Sequence, residues 1–323
     1  MCQSQSADRK VKNLEAREIT LAFGKLTLCW IEKTASSFMK TLRAKESDVL
    51  KDYKKKHLTE RPTQNPNNAK KLVIVREPYG RLVSAYIDKL YTRAIWWKTY
   101  GQIIVSHFRY VPTDEQINCG SDVTFTEFVR YVIYTVETGR FTEPHFDPIN
   151  KHCQFCTANY DYYVHLETLV SDMEYIYKSV NETLRYEMSD DEFTMGEKMY
   201  DFIVQREEGK YKNCETTCGL LDRAWWSFHA RGLIAKDVKM PLKGQICDTI
   251  KQRDLSDVAW KAHQESKDTF SKKRQRRDKI VELFMQVPLL DRLKLRDIFM
   301  NDFMLHGYDS TPVDLFPEVY QNS

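Results

Sequence analysis

Two short stretches hold residues whose types and spacing suit a phosphate-like anion. The first is Trp30-Ile31-Glu32-Lys33-Thr34-Ala35-Ser36-Ser37. An apolar run precedes it and a helical pattern follows it. Such a turn aims free backbone N–H groups and the positive end of the helix dipole at one spot. Lys33 adds a compact charge there, and Ser36 and Ser37 add hydroxyl donors. The plainer reading of the same residues is a Ser-capped helix with an exposed lysine. The Gly-x-x-x-x-Gly-Lys-Ser/Thr loop is absent, as is a Gly-rich dinucleotide turn. The second stretch is Val75-Arg76-Glu77-Pro78-Tyr79-Gly80-Arg81-Leu82-Val83-Ser84-Ala85-Tyr86. An arginine fork at Arg76 can grip a phosphate in bidentate fashion, and Ser84 can add a hydroxyl contact. The alternative for Arg76 is an ion pair with Glu77 or another carboxylate.

Both stretches need strands and helices to aim them. Leu26 to Ile31 and Leu72 to Val75 read as short buried strands. A helix is expected from about Ser36. A second should open at Pro78, with Leu82, Tyr86 and Leu90 as its apolar stripe. Alternating strands and helices predict a parallel sheet with helices packed on it. Ligands of such sheets bind at the carboxyl ends of strands, so both turns should face one crevice. Downstream, residues 124–136 read as an amphipathic helix and 162–166 as a strand, with a helix from about Leu169. After Pro288, the residues Leu289, Leu293, Phe299 and Phe303 mark a last helix, with Gly307 at its cap. Residues 51–70 read as a loop, and 187–279 as a highly charged insertion with few periodic segments.

Composition sets the outer limits. Of 323 residues, 42% are hydrophobic and 12% aromatic, which supports a sizeable core and excludes a wholly disordered chain. Lys+Arg 49 against Asp+Glu 46 leaves +3, so any anion site must be local. Lys272-Lys273-Arg274-Gln275-Arg276-Arg277 is the densest basic run, most simply a solvated face. No apolar run approaches the roughly 18–20 residues of a membrane span, and Met1 to Thr20 have no apolar signal core. On these grounds alone a soluble chain without an export address is expected. The eight cysteines leave three readings open: reduced thiols, a four-thiolate zinc site on Cys153/Cys156 and Cys214/Cys218, or disulfides of an oxidising lumen. Asn181-Glu182-Thr183 is a glycosylation sequon that fits the third.

The two turns, in this order, resemble the phosphosulfate-binding motifs of Golgi carbohydrate sulfotransferases of the chondroitin/dermatan 4-O and HNK-1 group. The second turn, with Lys89 beyond it, carries most of the likeness. It continues through Val123-Thr124-Phe125-x-Glu127-Phe128-Val129, His145-Phe146-x-Pro148, Cys153-x-x-Cys156, Tyr160-Asp161, and Leu166-Glu167-Thr168-Leu169-x-x-Asp172. It ends with Asp297-Ile298-Phe299, Asp302-Phe303-x-Leu305-x-Gly307-Tyr308. Residues 24–186 and 280–310 are covered. Glu32 stands where that family usually has Pro, and Met39 and Phe146 stand where it usually has Trp.

The resemblance implies an α/β, P-loop-NTPase-like sulfotransferase fold: a central parallel sheet flanked by helices, with a charged, largely helical insertion. It implies a polar tail over 1–18, one domain over 19–310 and a C-terminal tail over 311–323. The sulfuryl donor would be 3′-phosphoadenosine-5′-phosphosulfate, with no metal. Lys33, Ser36 and Ser37 would hold its 5′-phosphosulfate, and Arg76 and Ser84 its 3′-phosphate. Lys33 would also steady the leaving oxygen. His57 is the first candidate base and His145 the second. Lys54, Lys55 and Lys56, joined by Lys70 and Lys71, would form a basic rim for an anionic glycan, and Glu167 would be a buried structural carboxylate. No nucleic-acid partner is implied. The family's setting is the Golgi lumen behind an N-terminal anchor, which this sequence lacks, as a fragment or truncated chain would; that setting favours disulfides. Two other readings stay open: a non-catalytic nucleotide- or glycan-binding relative, and a cytosolic zinc- or nucleic-acid-associated protein.

Overall fold

The computed structural model describes residues 17–55, 68–140, 143–155, 157–184, 190–266 and 271–321, with the backbone alone at 36, 37, 40, 49–55 and 190–193. The chain forms two compact units. The first comprises Met1–Arg81, Glu143–Met188 and Phe299–Tyr308; the second comprises Leu82–Thr142, Ser189–Ile298 and Asp309–Ser323.

The first unit is built on a four-stranded sheet in the order β1 (Glu18–Leu21), β2 (Leu26–Cys29), β3 (Lys70–Val75) and β4 (Tyr162–His165). β2, β3 and β4 run parallel, with Leu28 opposite Leu72 and Ile74 opposite Val164. β1 pairs antiparallel with β2, so the sheet is mixed rather than wholly parallel. The expectation missed β1 because Glu-Ile-Thr-Leu is an edge strand that presents mostly polar, exposed residues and buries Leu21. Its tight return uses the left-handed region at Ala22 (φ 48°), Phe23 (φ 56°) and Gly24 (φ 94°).

Leu72 to Val75 are buried on both faces of the sheet, as a central parallel strand must be. Leu28, Leu72, Ile74 and Val164 pack on Phe38, Met39 and Leu42 of α1 (Ser36–Lys55) and on Met173 and Ile176 of the helix Leu169–Ser179. Met39, in the family's Trp position, thus serves as core. On the other face Cys29, Ile31, Val73 and Val75 meet Ile149 and Cys153. The expected last helix is two, Leu289–Ile298 and Met300–His306, and Gly307 caps the second at φ 69°.

The second unit is helical. Phe125–Thr138 opens with a reciprocal capping box, Thr124 with Glu127. The stretch expected to carry few periodic segments holds the helices Asp190–Glu208, Thr217–Ala230, Gln252–Ser266 and Lys272–Phe284. Met195, Met199, Phe202 and Ile203 recur at helical spacing, and join Trp97, Leu221, Trp225, Phe228 and Leu255 in one apolar cluster. Charged residues between them obscured that period. The basic run opens the last of these helices under a Ser271 cap, and Arg277 holds Asp314 through two bonds of 2.7 and 2.5 Å.

Cys29 pairs with Cys153, Cys119 with Cys214, and Cys218 with Cys247. Every described cysteine is therefore bonded, which overturns the reduced-thiol and zinc readings for these six. Cys2 and Cys156 lie outside the described residues. Among the described residues no His/Cys/Asp/Glu cluster could hold a metal, and no helix is long and apolar enough to cross a membrane.

Candidate functional site

β2 and β3 are adjacent and parallel, so the turns after them leave the sheet at the same edge. The first turn runs from Trp30 to Ala35. Lys33 lies at its apex in the left-handed region, φ 69°, a conformation that costs a side-chain-bearing residue about 1 kcal/mol or more. The Thr34 hydroxyl braces the turn by donating to the Ile31 carbonyl at 2.9 Å. α1 follows with no acidic residue in its first turn. The first N–H groups of such a helix have no partner within it, so this end suits an anion.

The second turn differs. Glu77 caps α2 (Pro78–Tyr86), its carboxylate accepting from the Tyr79 N–H at 2.9 Å and the Gly80 N–H at 2.5 Å. That helix end is filled by the chain's own carboxylate, so anion-binding capacity here rests on the Arg76 side chain. Arg76 Nη1 donates to the Lys33 carbonyl at 3.1 Å and so ties the two turns together. Tyr308, from the chain's last segment in this unit, lies within electrostatic reach of Arg76 and Glu77 and donates to Glu167 at 3.0 Å. Glu167 is exposed, not buried as expected, yet its carboxylate is held.

His145 reaches the first turn. Its Nδ1 lies 2.5 Å from Glu143 Oε1, and its Nε2 lies 3.5 Å from Glu32 Oε2. A carboxylate on Nδ1 makes that nitrogen the donor and leaves Nε2 as the proton-accepting position. Arg17 also pairs with Glu32, at 3.3 Å. Glu32, in the family's Pro position, is thus engaged by a cation and an imidazole rather than standing as an isolated negative charge beside Lys33.

Beneath these groups lies Arg81, fully buried in the first unit. Its guanidinium donates to the carbonyls of Glu32 at 3.0 Å, Asp147 at 2.6 Å and Pro144 at 2.7 Å. It therefore pins the first turn and the His145 loop onto α2. Burial lowers its pKa to about 10, so it stays charged at neutral pH, with Asp302 and Asp147 as nearby carboxylates. Asp302, also fully buried, accepts from the N–H groups of Ile149 at 2.6 Å and Asn150 at 2.8 Å. Burial pushes both Asp147 and Asp302 up to about 6. Arg81 and Asp302 stand inside the family-like motifs, yet their residue types alone assign them no task. The usable signal was an arginine set among buried positions of an otherwise apolar helix, which has to be paired.

Lys33, Arg76 and His145 are thus brought together in the first unit. Ser84 is buried two turns along α2, in the part of that helix belonging to the second unit. The side chains of Ser36, Ser37, Lys54 and Lys55, and the whole of Lys56 and His57, lie outside the described residues. Lys70 and Lys71 start β3, at its far end from Arg76, and a strand rises about 3.3 Å per residue. Lys70 is held there by Asp161 at 2.7 Å, so neither lysine rims the two turns.

Comparison with known proteins gives a consistent result. A family profile described as "Sulfotransferase family" matches residues 23–200, more than half of the chain. Carbohydrate sulfotransferase 14 of Danio rerio is 38% identical over 110 residues, covering 34% of this chain and 29% of that protein. Carbohydrate sulfotransferase 11 of Rattus norvegicus is 37% identical over 110 residues, covering 33% and 31% respectively. Carbohydrate sulfotransferase 8 of Mus musculus is 30% identical over 112 residues, covering 34% and 27%. The chain thus matches less than a third of the length of these curated relatives. No solved structure matches it significantly.

Proposed function

The chain belongs to the sulfotransferase family, and from that premise we propose that it is a carbohydrate O-sulfotransferase. It moves a sulfuryl group from 3′-phosphoadenosine-5′-phosphosulfate to a hydroxyl of an anionic glycan of the chondroitin/dermatan kind, in the Golgi lumen. The observation that carries this reading is the Arg76–Lys33 hydrogen bond, which joins two anion-suited turns at one edge of a parallel strand pair.

The residues fit a donor with a phosphate at each end. The N-terminal end of α1, with Lys33 in the turn before it, suits the 5′-phosphosulfate, and Ser36 and Ser37 stand at that helix start in sequence. The Arg76 fork suits the 3′-phosphate. Sulfuryl transfer, like phosphoryl transfer, has a loose transition state in which charge builds on the leaving bridging oxygen. An ammonium held at that oxygen stabilises it electrostatically, and Lys33 supplies one. His145 takes the acceptor's proton at Nε2, a step worth about 10²–10⁴-fold. Glu143 fixes its ring through Nδ1, and Glu32 stabilises the imidazolium that results. His57 remains the alternative base. Three disulfides support an oxidising lumen.

The test is a labelled-sulfate transfer assay on chondroitin, dermatan and desulfated heparin. Wild type is expected to label chondroitin or dermatan, and Lys33→Ala and Arg76→Ala are each expected to reduce transfer by about 10²–10³-fold. Full transfer by either variant contradicts the site. Nucleotide binding by wild type without transfer to any glycan identifies a non-catalytic relative instead.

A further inference from the structure

Asn181-Glu182-Thr183 is the single Asn-x-Ser/Thr sequence in the chain, and donor chemistry does not use it. It follows the helix Leu169–Ser179, whose cap residue is Val180. Asn181 lies in the left-handed region, φ 56°. Its N–H donates to Lys178 O at 3.0 Å, and the Glu182 N–H donates to Tyr177 O at 2.9 Å. These are the two bonds of a Schellman cap, and asparagine is one of the few side-chain-bearing residues that tolerates the position. The cap accounts for Asn181 as a residue type. It does not account for Thr183, which has no part in it.

The side chains point in the directions that modification needs. Glu182 turns inward, 5% exposed, and pairs with Lys25 at 2.8 Å. Lys25 also donates to the Val180 carbonyl at 2.9 Å, which fixes the segment from below. Asn181 and Thr183, on either side of Glu182, are both exposed. The folded unit can therefore carry a bulky group on Asn181 without displacing any of these contacts. The disulfide between Cys29 and Cys153 in this same unit belongs to a compartment where such groups are added.

We propose that Asn181 is an N-glycosylation site. The co-reactant is a polyprenyl-diphosphate-linked oligosaccharide. The Asn181 Nδ2 forms a bond to the anomeric carbon and gives up one proton. The bond from that carbon to the diphosphate oxygen breaks, and polyprenyl diphosphate leaves. The Thr183 hydroxyl is the second element that the transfer enzyme reads. This assignment rests on the turn and the cysteine pairing, not on the sulfuryl-donor reading.

The full chain, secreted from eukaryotic cells behind a heterologous signal peptide, is treated with the amidase that releases N-linked glycans. Wild type and Thr183→Ser are expected to shift in gel mobility, with position 181 read as Asp in the released peptide. Asn181→Gly keeps the left-handed cap, and Thr183→Ala leaves the cap untouched; both are expected to lose the shift. Asn181→Gly is expected to leave sulfate transfer unchanged. A secreted wild-type chain that does not shift, or an Asn181→Gly chain that does, overturns the proposal.

Discussion

In the first unit the chain buries the Arg81 guanidinium and the Asp147 and Asp302 carboxylates, and hydrogen-bonds the guanidinium and Asp302 to backbone of its turns and loops. In the second the largest cluster is apolar, with Trp97, Phe202, Trp225 and Phe228 between helices and two disulfides, while its buried charges, among them Lys198 paired with Asp88 and Arg292 on the Val287 and Leu315 carbonyls, serve that unit's own helices and loops. Apolar packing is the cheaper way to be stable, since buried charge must be matched bond for bond. The first unit keeps its buried polar groups where they hold backbone in place: Arg81 on Glu32, Pro144 and Asp147, and Asp302 on Ile149 and Asn150. Every one of those tethers ends on a turn or loop that carries, or adjoins, a candidate site residue. Apolar packing alone is non-directional and would not aim Lys33 or His145.

Two substitutions of similar cost break this comparison cleanly. Arg81→Met leaves three carbonyls without their donor and removes the cation facing Asp302, and is expected to destabilise by about 3–5 kcal/mol. Phe228→Ala opens a cavity in the second unit and is expected to cost about the same. Denaturant midpoints measure both losses. The contrast lies in activity per folded molecule: Arg81→Met is expected to raise the KM for donor, whereas Phe228→Ala leaves it unchanged. Equal effects on donor KM would show that the tether has no positioning role.

A smaller effect sharpens the electrostatic side. Burial raises Asp147 to about 6 from an ordinary 3.8, and its Oδ2 has no hydrogen-bond partner. The folded state therefore holds a proton there that the unfolded state has lost between those values. Stability from this group is fullest below pH 3.8 and falls as pH rises to about 6. Asp147→Asn removes that fall. It is expected to stabilise by up to about 3 kcal/mol near neutral pH and by almost nothing near pH 4. His152 and His306, both held down to about 4 by burial, act in the opposite sense, since the unfolded state binds their protons first. The variant's stability should therefore climb more steeply from pH 4 to 6 than that of wild type in a pH series of denaturant melts. The smallest effect belongs to the second unit: Thr124→Ala removes one half of a capping box and is expected to cost about 1 kcal/mol by the same melts.

The same contrast explains what could be read in the sequence. Leu72 to Val75, Pro78 and Gly307 announced their elements because buried strands, first helical positions and left-handed caps each demand a narrow set of residue types. That the Lys33 and Arg76 turns would lie side by side was legible because each follows a short buried strand, and two such strands joined by a helix pair in parallel. β1 was not, since an edge strand with one buried side chain has almost no apolar signature. The helices from Asp190 onward were hidden by charges interleaved with Met195, Met199 and Phe202. Disulfide partners such as Cys29 and Cys153, at a sequence separation of 124, are set by the packed fold and leave no local trace. Nor could the sequence show that Glu77 fills its own helix end, or that Glu32 meets His145 and Arg17.

The most direct measurement is calorimetric titration of adenosine 3′,5′-bisphosphate into wild type, Lys33→Ala and Arg76→Ala, each first shown to melt like wild type. One donor site spanning both turns predicts saturable binding to wild type and at least a tenfold loss, about 1.4 kcal/mol, in each variant. Unchanged affinity in either variant would contradict it.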